Sequence, residues 1–299
     1  MNKPKFDKPA LSADRLAELF LYRGLTGISS EELAHKLKFL NYYRLRGYTY
    51  PYQNNGCEDA PFITGTCWDD IWSDYCFDQN LRMVIFDAIS RFEIAFRSIL
   101  VLYMSEGYGS QWYEHRELYE PEKSVKECEQ NIKLQILQNK SHQQNNARFD
   151  MHIHELLNLW ERSQEDFKYH YIQKYNTEQN PPAWMLFEIT TMGIVSKIFA
   201  NIKNGLPEKS KILNTFGFNR SQVHVFVSWN HHLNFIRNIC AHHGRLFSRN
   251  FSIKPKFCKK TQFNWVNTQP ENNRIYATFC ILSHLLSVCA PEYPFNLKL

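Results

Sequence analysis

The sequence predicts an all-α protein, and three observations carry that reading. Apolar residues recur at three- and four-residue steps along its longer segments, as one face of a 3.6-residue helix requires. No sustained alternation of apolar and polar residues marks a strand, and there is no internal repeat. Only 11 glycines and 12 prolines interrupt 299 residues, which leaves room for long helices. With 43% hydrophobic and 15% aromatic residues, a chain of this length buries a sizeable core and is not a disordered one.

The elements follow in order. Ser12 caps a segment that runs to Tyr22 and stops at Gly24; Ser29 or Ser30, with Glu31 and Glu32 in the first turn, opens the next. That second helix, ELAHKLKFLNYYRL, ends near Gly47. The run TYPYQNNGCEDAPFITG is a loop rich in turn formers, after which Thr66 or Asp69 starts a further helix. In residues 81–104, LRMVIFDAISRFEIAFRSILVLYM, the positions Leu81, Val84, Ala88, Phe92, Ala95, Ile99 and Leu102 form the expected buried face, closed by Gly107–Gly109. Charges inside it, Asp87, Arg91, Glu93 and Arg97 among them, argue against a membrane span.

Residues 110–150 are polar and read as an exposed connector or helical insert. HIHELLNLWERSQEDFKYHYIQKY resumes a helix, and the PPAW of 181–184 starts another, because proline suits a first turn whose N–H has no partner anyway. WMLFEITTMGIVSKIFANI follows, closed by Asn204–Gly205. A short segment around 208–215 leads to Asn219 or Ser221, caps for a helix from about 222; the last helix covers roughly 271–290. The expected organisation is an N-terminal helical region over 1–75 and a helical domain over 76–299, with a polar insert near 110–150.

The net charge of +5 says little until it is mapped. From Lys209 to Pro270 there are ten basic residues (Lys209, Lys211, Arg220, Arg237, Arg245, Arg249, Lys254, Lys256, Lys259, Lys260) and no Asp or Glu, so this window carries +10 and the remainder −5. A one-signed block in an otherwise acidic chain suggests a face for a polyanion, with nucleic acid the first candidate; a solvated basic surface is the plainer alternative. Eight scattered cysteines without a CxxC pair fit reduced thiols, and MNKPKFDKPALSADRL lacks the apolar core of a signal peptide, so the expectation is a soluble, cytoplasmic protein.

Inside the block lies RNICAHHGRLFSRN (237–250). Upstream of it Phe226, Trp229, Leu233, Ile236 and Cys240 step by three and four and form one apolar stripe. Asn234, Asn238 and His242 fall on the other side at i, i+4 spacing, Arg237 flanks the stripe, and Gly244 is the expected helix end. A histidine transfers protons near neutral pH, and an arginine grips a phosphate and stabilises charge developing on it. No carboxylate stands nearby to hold Mg²⁺ or orient a triad, and no glycine-rich phosphate loop exists. These are the needs of metal-independent RNA cleavage, in which the ribose 2′-OH attacks the adjacent phosphate. The spacing alone is close to chance, as the similar Arg148-to-His154 pair illustrates. A metal reading would draw on Cys240, His242, His243 and Cys258 or His231/His232, yet these lack paired ligand spacing.

RNxxAHHGRLFxR resembles the Arg-x4-His signature of HEPN domains. The chain also resembles the Abi-like (AbiD/AbiF) abortive-infection family, through KPALSADRLAELFLYRGL (8–25), LKFLNYYRLRGYTYPY (37–52), SRFEIAFRS (90–98), PPAWMLFEITTMGIVSKIF (181–199) and the motif itself. The resemblance implies a HEPN-type helical bundle with an N-terminal helical extension, and a metal-independent endoribonuclease of phage defence without a cofactor. It implies Arg237 and His242 as the catalytic pair and Asn238 as helper. It also implies a homodimer that brings two Arg-His sets into one composite site, an RNA substrate, a small non-coding RNA as a further partner, and no membrane. Glu93 and Arg97 are the expected supporting residues, a plain i, i+4 ion pair being the other reading. His243, Arg245, Arg249, Lys254 and Lys256 are expected to bind RNA, as are Arg44 and Arg46, which lie beside Tyr42 and Tyr43. A non-catalytic module that sequesters RNA, or a toxin of a toxin–antitoxin pair, is the alternative.

Overall fold

The computed structural model describes residues 9–57, 59–120, 147–175, 179–257 and 271–295. Among these the chain is all-α: eleven α-helices and short 3-10 turns, with isolated bridges and no strand. It divides into two compact units, Met1–Val84 with His242–Ser248, and Ile85–Ala241 with Arg249–Leu299.

The first unit begins with α1 (Ala13–Tyr22), α2 (Ser30–Phe39) and α3 (Tyr42–Thr49). Ser12 caps α1 by accepting from the Arg15 N–H, and Ser29 and Glu32 close a capping box on α2. The single helix expected from Glu32 past Arg44 is two. Asn41 ends it, because its Oδ1 accepts from the Tyr43 N–H at 2.8 Å and offers the backbone an alternative to continuing the turn; α3 then runs past Gly47. The helix α4 (Trp68–Tyr108) supplies its residues up to Val84 to this unit and the rest to the other. Phe20, Leu33, Leu37, Leu45, Phe62 and Ile71 lie at the centre of the first unit's core.

In the second unit the remainder of α4 buries Ile85, Ala88, Ile89, Phe92, Phe96, Leu100 and Met104. The expected stripe shares Ala88 and Phe92 with this set, its first member Leu81 is buried in the first unit, and Leu102 is 47% exposed. Apolar residues also stand outside the buried set, at Met83, Phe86, Ile94 and Leu102, so periodicity does not select one face; packing decides, and Phe92 and Phe96 turn inward. Gly109, at φ 87, ends the helix in the left-handed conformation glycine adopts without strain. The start of the expected exposed connector is a pair of 3-10 turns that bury Trp112, Tyr113, Leu118 and Tyr119; the rest of that stretch, residues 121–146, lies outside the described residues.

Two further long segments also break. The stretch 152–175 forms α5 (Ala147–Arg162) and α6 (Asp166–Lys174), and 184–202 forms α7 (Ala183–Leu186), a 3-10 turn and α8 (Met192–Asn201). Next come α9 (Pro207–Thr215), α10 (Val223–Ala241) and α11 (Ile275–Cys289). The stripe expected on α10 is buried at Phe226, Trp229, Leu233, Ile236 and Cys240. α10 packs on α8, where a Cβ added at Gly193 would lie 3.4 Å from the Asn234 side chain. None of the described helices is long and apolar enough to cross a membrane.

His232 on α10 is a core residue. Its Nδ1–H donates to the Ile253 carbonyl at 2.7 Å, which leaves Nε2 to accept from the Thr278 hydroxyl at 2.9 Å. Burial pushes its pKa down from 6.5 to about 4, the Ile253 bond opposing this and His231 adding to it. Between those values the unfolded chain takes up a proton that the folded chain refuses, so this contribution is fully present above pH 6.5 and is lost as pH falls towards 4. The loss amounts to at most about 3 kcal/mol. Urea midpoints from pH 7.5 to 4.5 should show a flatter slope in His232→Gln than in the wild-type chain, whatever the variant's baseline; equal slopes would contradict it.

Candidate functional site

The last turn of α10 places Arg237 at the flank of its buried stripe, half-buried, and Asn238 opposite the stripe on the exposed side. Arg237 reaches back along the helix surface. Its Nε lies 3.9 Å from Glu93 Oε2 and its guanidinium sits over the Phe86 ring, 5.5 Å from the centroid. That Nε is buried and has no hydrogen-bond partner among the described residues, so a carboxylate and a ring face hold the cation rather than a directed bond. Glu93 is held in turn by α8: its Oε1 accepts from the Met192 N–H at 2.9 Å, at the helix N-terminus, where the backbone dipole favours negative charge.

Arg97 does not join this pair, nor does it pair with Glu93. Its Nη1 donates to the carbonyls of Phe187 (3.3 Å) and Glu188 and lies 3.9 Å from the Glu188 carboxylate, so it satisfies acceptors at the end of the turn after α7. Glu93 thus has a place beside Arg237, and Arg97 has a structural task. In a double-mutant cycle on unfolding, Glu93→Ala and Arg237→Ala should couple by less than about 1 kcal/mol, because the arginine side chain is one-third exposed. Glu93→Ala alone should cost about 1–2 kcal/mol through the lost cap on α8. A coupling larger than the single-variant cost would contradict this division.

α10 stops at Ala241, one turn before the expected glycine, and His243 rather than Gly244 takes the left-handed conformation, with φ 56. His242 and His243 are both exposed on this turn. In the first unit the backbone beyond His242 is gripped by side chains. Arg44 Nη1 donates to the His243 carbonyl at 2.7 Å, and Asp78 Oδ1 accepts from the N–H groups of Leu246 (3.0 Å) and Phe247 (2.7 Å). Asp78 also pairs with Arg82 and accepts from the Tyr48 hydroxyl at 2.6 Å. Sequence reading passed over Asp78 and Arg82; their i, i+4 spacing beside the apolar run of α4 was the signal available.

The expected RNA contacts divide. Arg46 is tied to Gln53 and Asn55 and sits over Tyr50, Arg44 is spent on His243, and Tyr42 stacks on Phe20, while Tyr43 is 75% exposed. Arg245 is half-buried and passes Gly47, and Arg249 is half-buried. Lys254 and Lys256 are exposed on a segment fastened along α10 by the Trp229 indole, Ser228 and His232. The basic block is not one face: the Lys209 amine is buried, donates to the Ile202 carbonyl, and is pushed down to about 8 by burial. Lys259, Lys260 and Cys258 lie outside the described residues. Among the described residues no group of three or more His, Cys, Asp or Glu is placed to hold a metal ion.

A family model described as Abi-like protein matches residues 35–248, more than half of the chain. The chain belongs to the Abi-like family. The match begins in α2 and ends on the turn that carries His242, so the Arg-x4-His pair, Arg237 and His242, lies inside it, while Arg249 falls one residue beyond its end. Membership points to abortive infection, the response to phage, as its biological setting. No curated protein and no solved structure matches the Abi-like chain.

Proposed function

We propose that this Abi-like protein is a metal-independent endoribonuclease of the HEPN type that acts in phage defence. One observation carries the reading: Arg237, held beside Glu93 at the flank of the core face of α10, stands five residues before the exposed His242 in an Abi-like chain. Arg237 grips the scissile phosphate and stabilises the charge on its oxygens in the transition state. The 2′-oxygen forms a bond to phosphorus as the P–O5′ bond breaks. One proton leaves the 2′-OH and one reaches the departing 5′-oxygen; His242 carries one of these transfers. Asn238 orients the imidazole or a phosphate oxygen, and Glu93 holds Arg237 in place. Products are a 2′,3′-cyclic phosphate and a 5′-hydroxyl.

Each chain has one such set, so a homodimer is the natural way to bring two sets together, and RNA is both substrate and, as a small non-coding RNA, a partner. His243, Arg245, Arg249, Lys254 and Lys256 supply positive charge for the strand. The cytoplasm is the expected location. Incubating the purified protein with RNA in EDTA and identifying the end groups tests the reading. Cleavage to cyclic phosphate ends supports it, and loss of cleavage on chelation overturns it. Salt-sensitive RNA binding that survives Arg237→Ala and His242→Ala, with no cleavage, would favour a sequestering module instead.

A further inference from the structure

We infer that Asp78 is a positioning residue for His242: a buried carboxylate on α4 fixes the backbone turn from which that histidine projects. The inference rests on the proposed function for its catalytic consequence and on the first unit alone for its geometry. The turn from His242 to Ser248 has no regular secondary structure, so its backbone groups need partners from elsewhere. Asp78, fully buried, meets two of them through one oxygen, at the Leu246 and Phe247 N–H groups. Its other oxygen faces the Tyr48 hydroxyl and Arg82, and Arg82 Nη1 also lies 3.5 Å from the Gly244 carbonyl.

A carboxylate is expensive to bury without partners, and this one has four, two of them reached across more than 160 residues of chain. Tyr48 stays a donor, because burial and the Asp78 charge both raise its pKa. The turn also contains a strained residue, His243 in the left-handed region, a conformation that costs a non-glycine residue roughly 1 kcal/mol. Such a conformation persists when its surroundings over-determine it, and the bonds from Arg44, Arg82 and Asp78 do so. Anchoring Leu246, itself buried, would need one contact; the three side chains instead bracket the residues that follow His242 and leave its own imidazole exposed. A group that transfers protons needs that combination, a fixed backbone and an accessible ring.

The test is Asp78→Asn, which keeps shape and removes the charge that balances Arg82. Three changes are expected together, with far-UV circular dichroism unchanged: kcat for RNA cleavage falls by about 10–100-fold with KM within about threefold; amide exchange at Leu246 and Phe247 accelerates by about tenfold or more; and the His242 ring resonances shift. A folded variant with faster exchange but unaltered kcat and unaltered His242 resonances overturns the inference, as does unaltered exchange. If Asp78→Asn is not recovered folded, Tyr48→Phe removes one of the four bonds and is expected to lower kcat by about 3–10-fold at constant KM; no change there is equally fatal. If the wild-type chain does not cleave RNA, the proposed function fails, while the exchange rates and the His242 resonances still decide whether Asp78 holds the turn.

Discussion

Replacing His242 with alanine is expected to lower RNA cleavage by about 10²–10⁴-fold while leaving the fold intact, the range that a positioned general acid or base contributes. The imidazole is exposed and its loss opens no cavity, so the unfolding free energy should change by less than about 0.5 kcal/mol. Arg237→Ala should cost cleavage a similar amount, by removing the charge that meets the phosphate. Arg237→Lys should recover only part, because an ammonium cannot make the bidentate contact of a guanidinium. The double variant should be little worse than the poorer single one, since groups that act on one transition state fail together. Full activity in His242→Ala, in protein purified away from contaminating nucleases, would overturn the proposed chemistry. Full activity in Arg237→Ala would remove only the phosphate role.

This expectation stands on residues the sequence already singled out, and the reason they were legible is local. On α10 the apolar positions step by three and four between polar ones, so one phase of the helix fits and the outward residues follow from it. On α4 exposed apolar residues such as Met83, Phe86, Ile94 and Leu102 interleave with the buried ones, several phases fit, and the choice falls to packing partners Phe199, Phe216 and Phe226, which lie over ninety residues downstream. The break at Asn41 was legible in principle, since asparagine caps helices as readily as serine, but the apolar pattern runs through it.

Composition has no depth and so places Lys209 with the surface charges; the fold puts its amine on the Ile202 carbonyl. The burial of Asp78 is hard to read from sequence for a related reason. A single carboxylate in a helix reads as solvent-facing, and the backbone groups that justify its burial belong to a turn far along the chain. Glu93 lies between these cases: its proximity to the motif came from the family resemblance, while its two partners, Met192 and Arg237, came from the structure.

Phe226→Ala is expected to be the most destabilising single substitution in the second unit, at about 3–5 kcal/mol. The ring is fully buried and lies within 5.0–5.4 Å of Phe96, Phe199, Phe216 and Phe218, stacked on Phe216 and tilted or edge-on to the others. Alanine leaves a cavity that four rigid rings cannot collapse to fill, and it also removes aromatic pairs worth about 0.5–1.5 kcal/mol each, less their overlap. Against a total stability on the order of 5–15 kcal/mol, that loss is a large share and should lower the urea midpoint markedly. Phe226→Leu keeps much of the volume and should cost about 1–2 kcal/mol. The ring sits eleven residues before Arg237, roughly 16 Å along the helix, so it supports α10 without approaching the site. Phe226→Leu should therefore lower the near-UV circular dichroism midpoint in urea and leave kcat per folded molecule within about twofold. His242→Ala should do the reverse. If Phe226→Leu instead loses activity while stability is unchanged, α10 is not the passive scaffold assumed for Arg237, and the helix itself takes part in the chemistry.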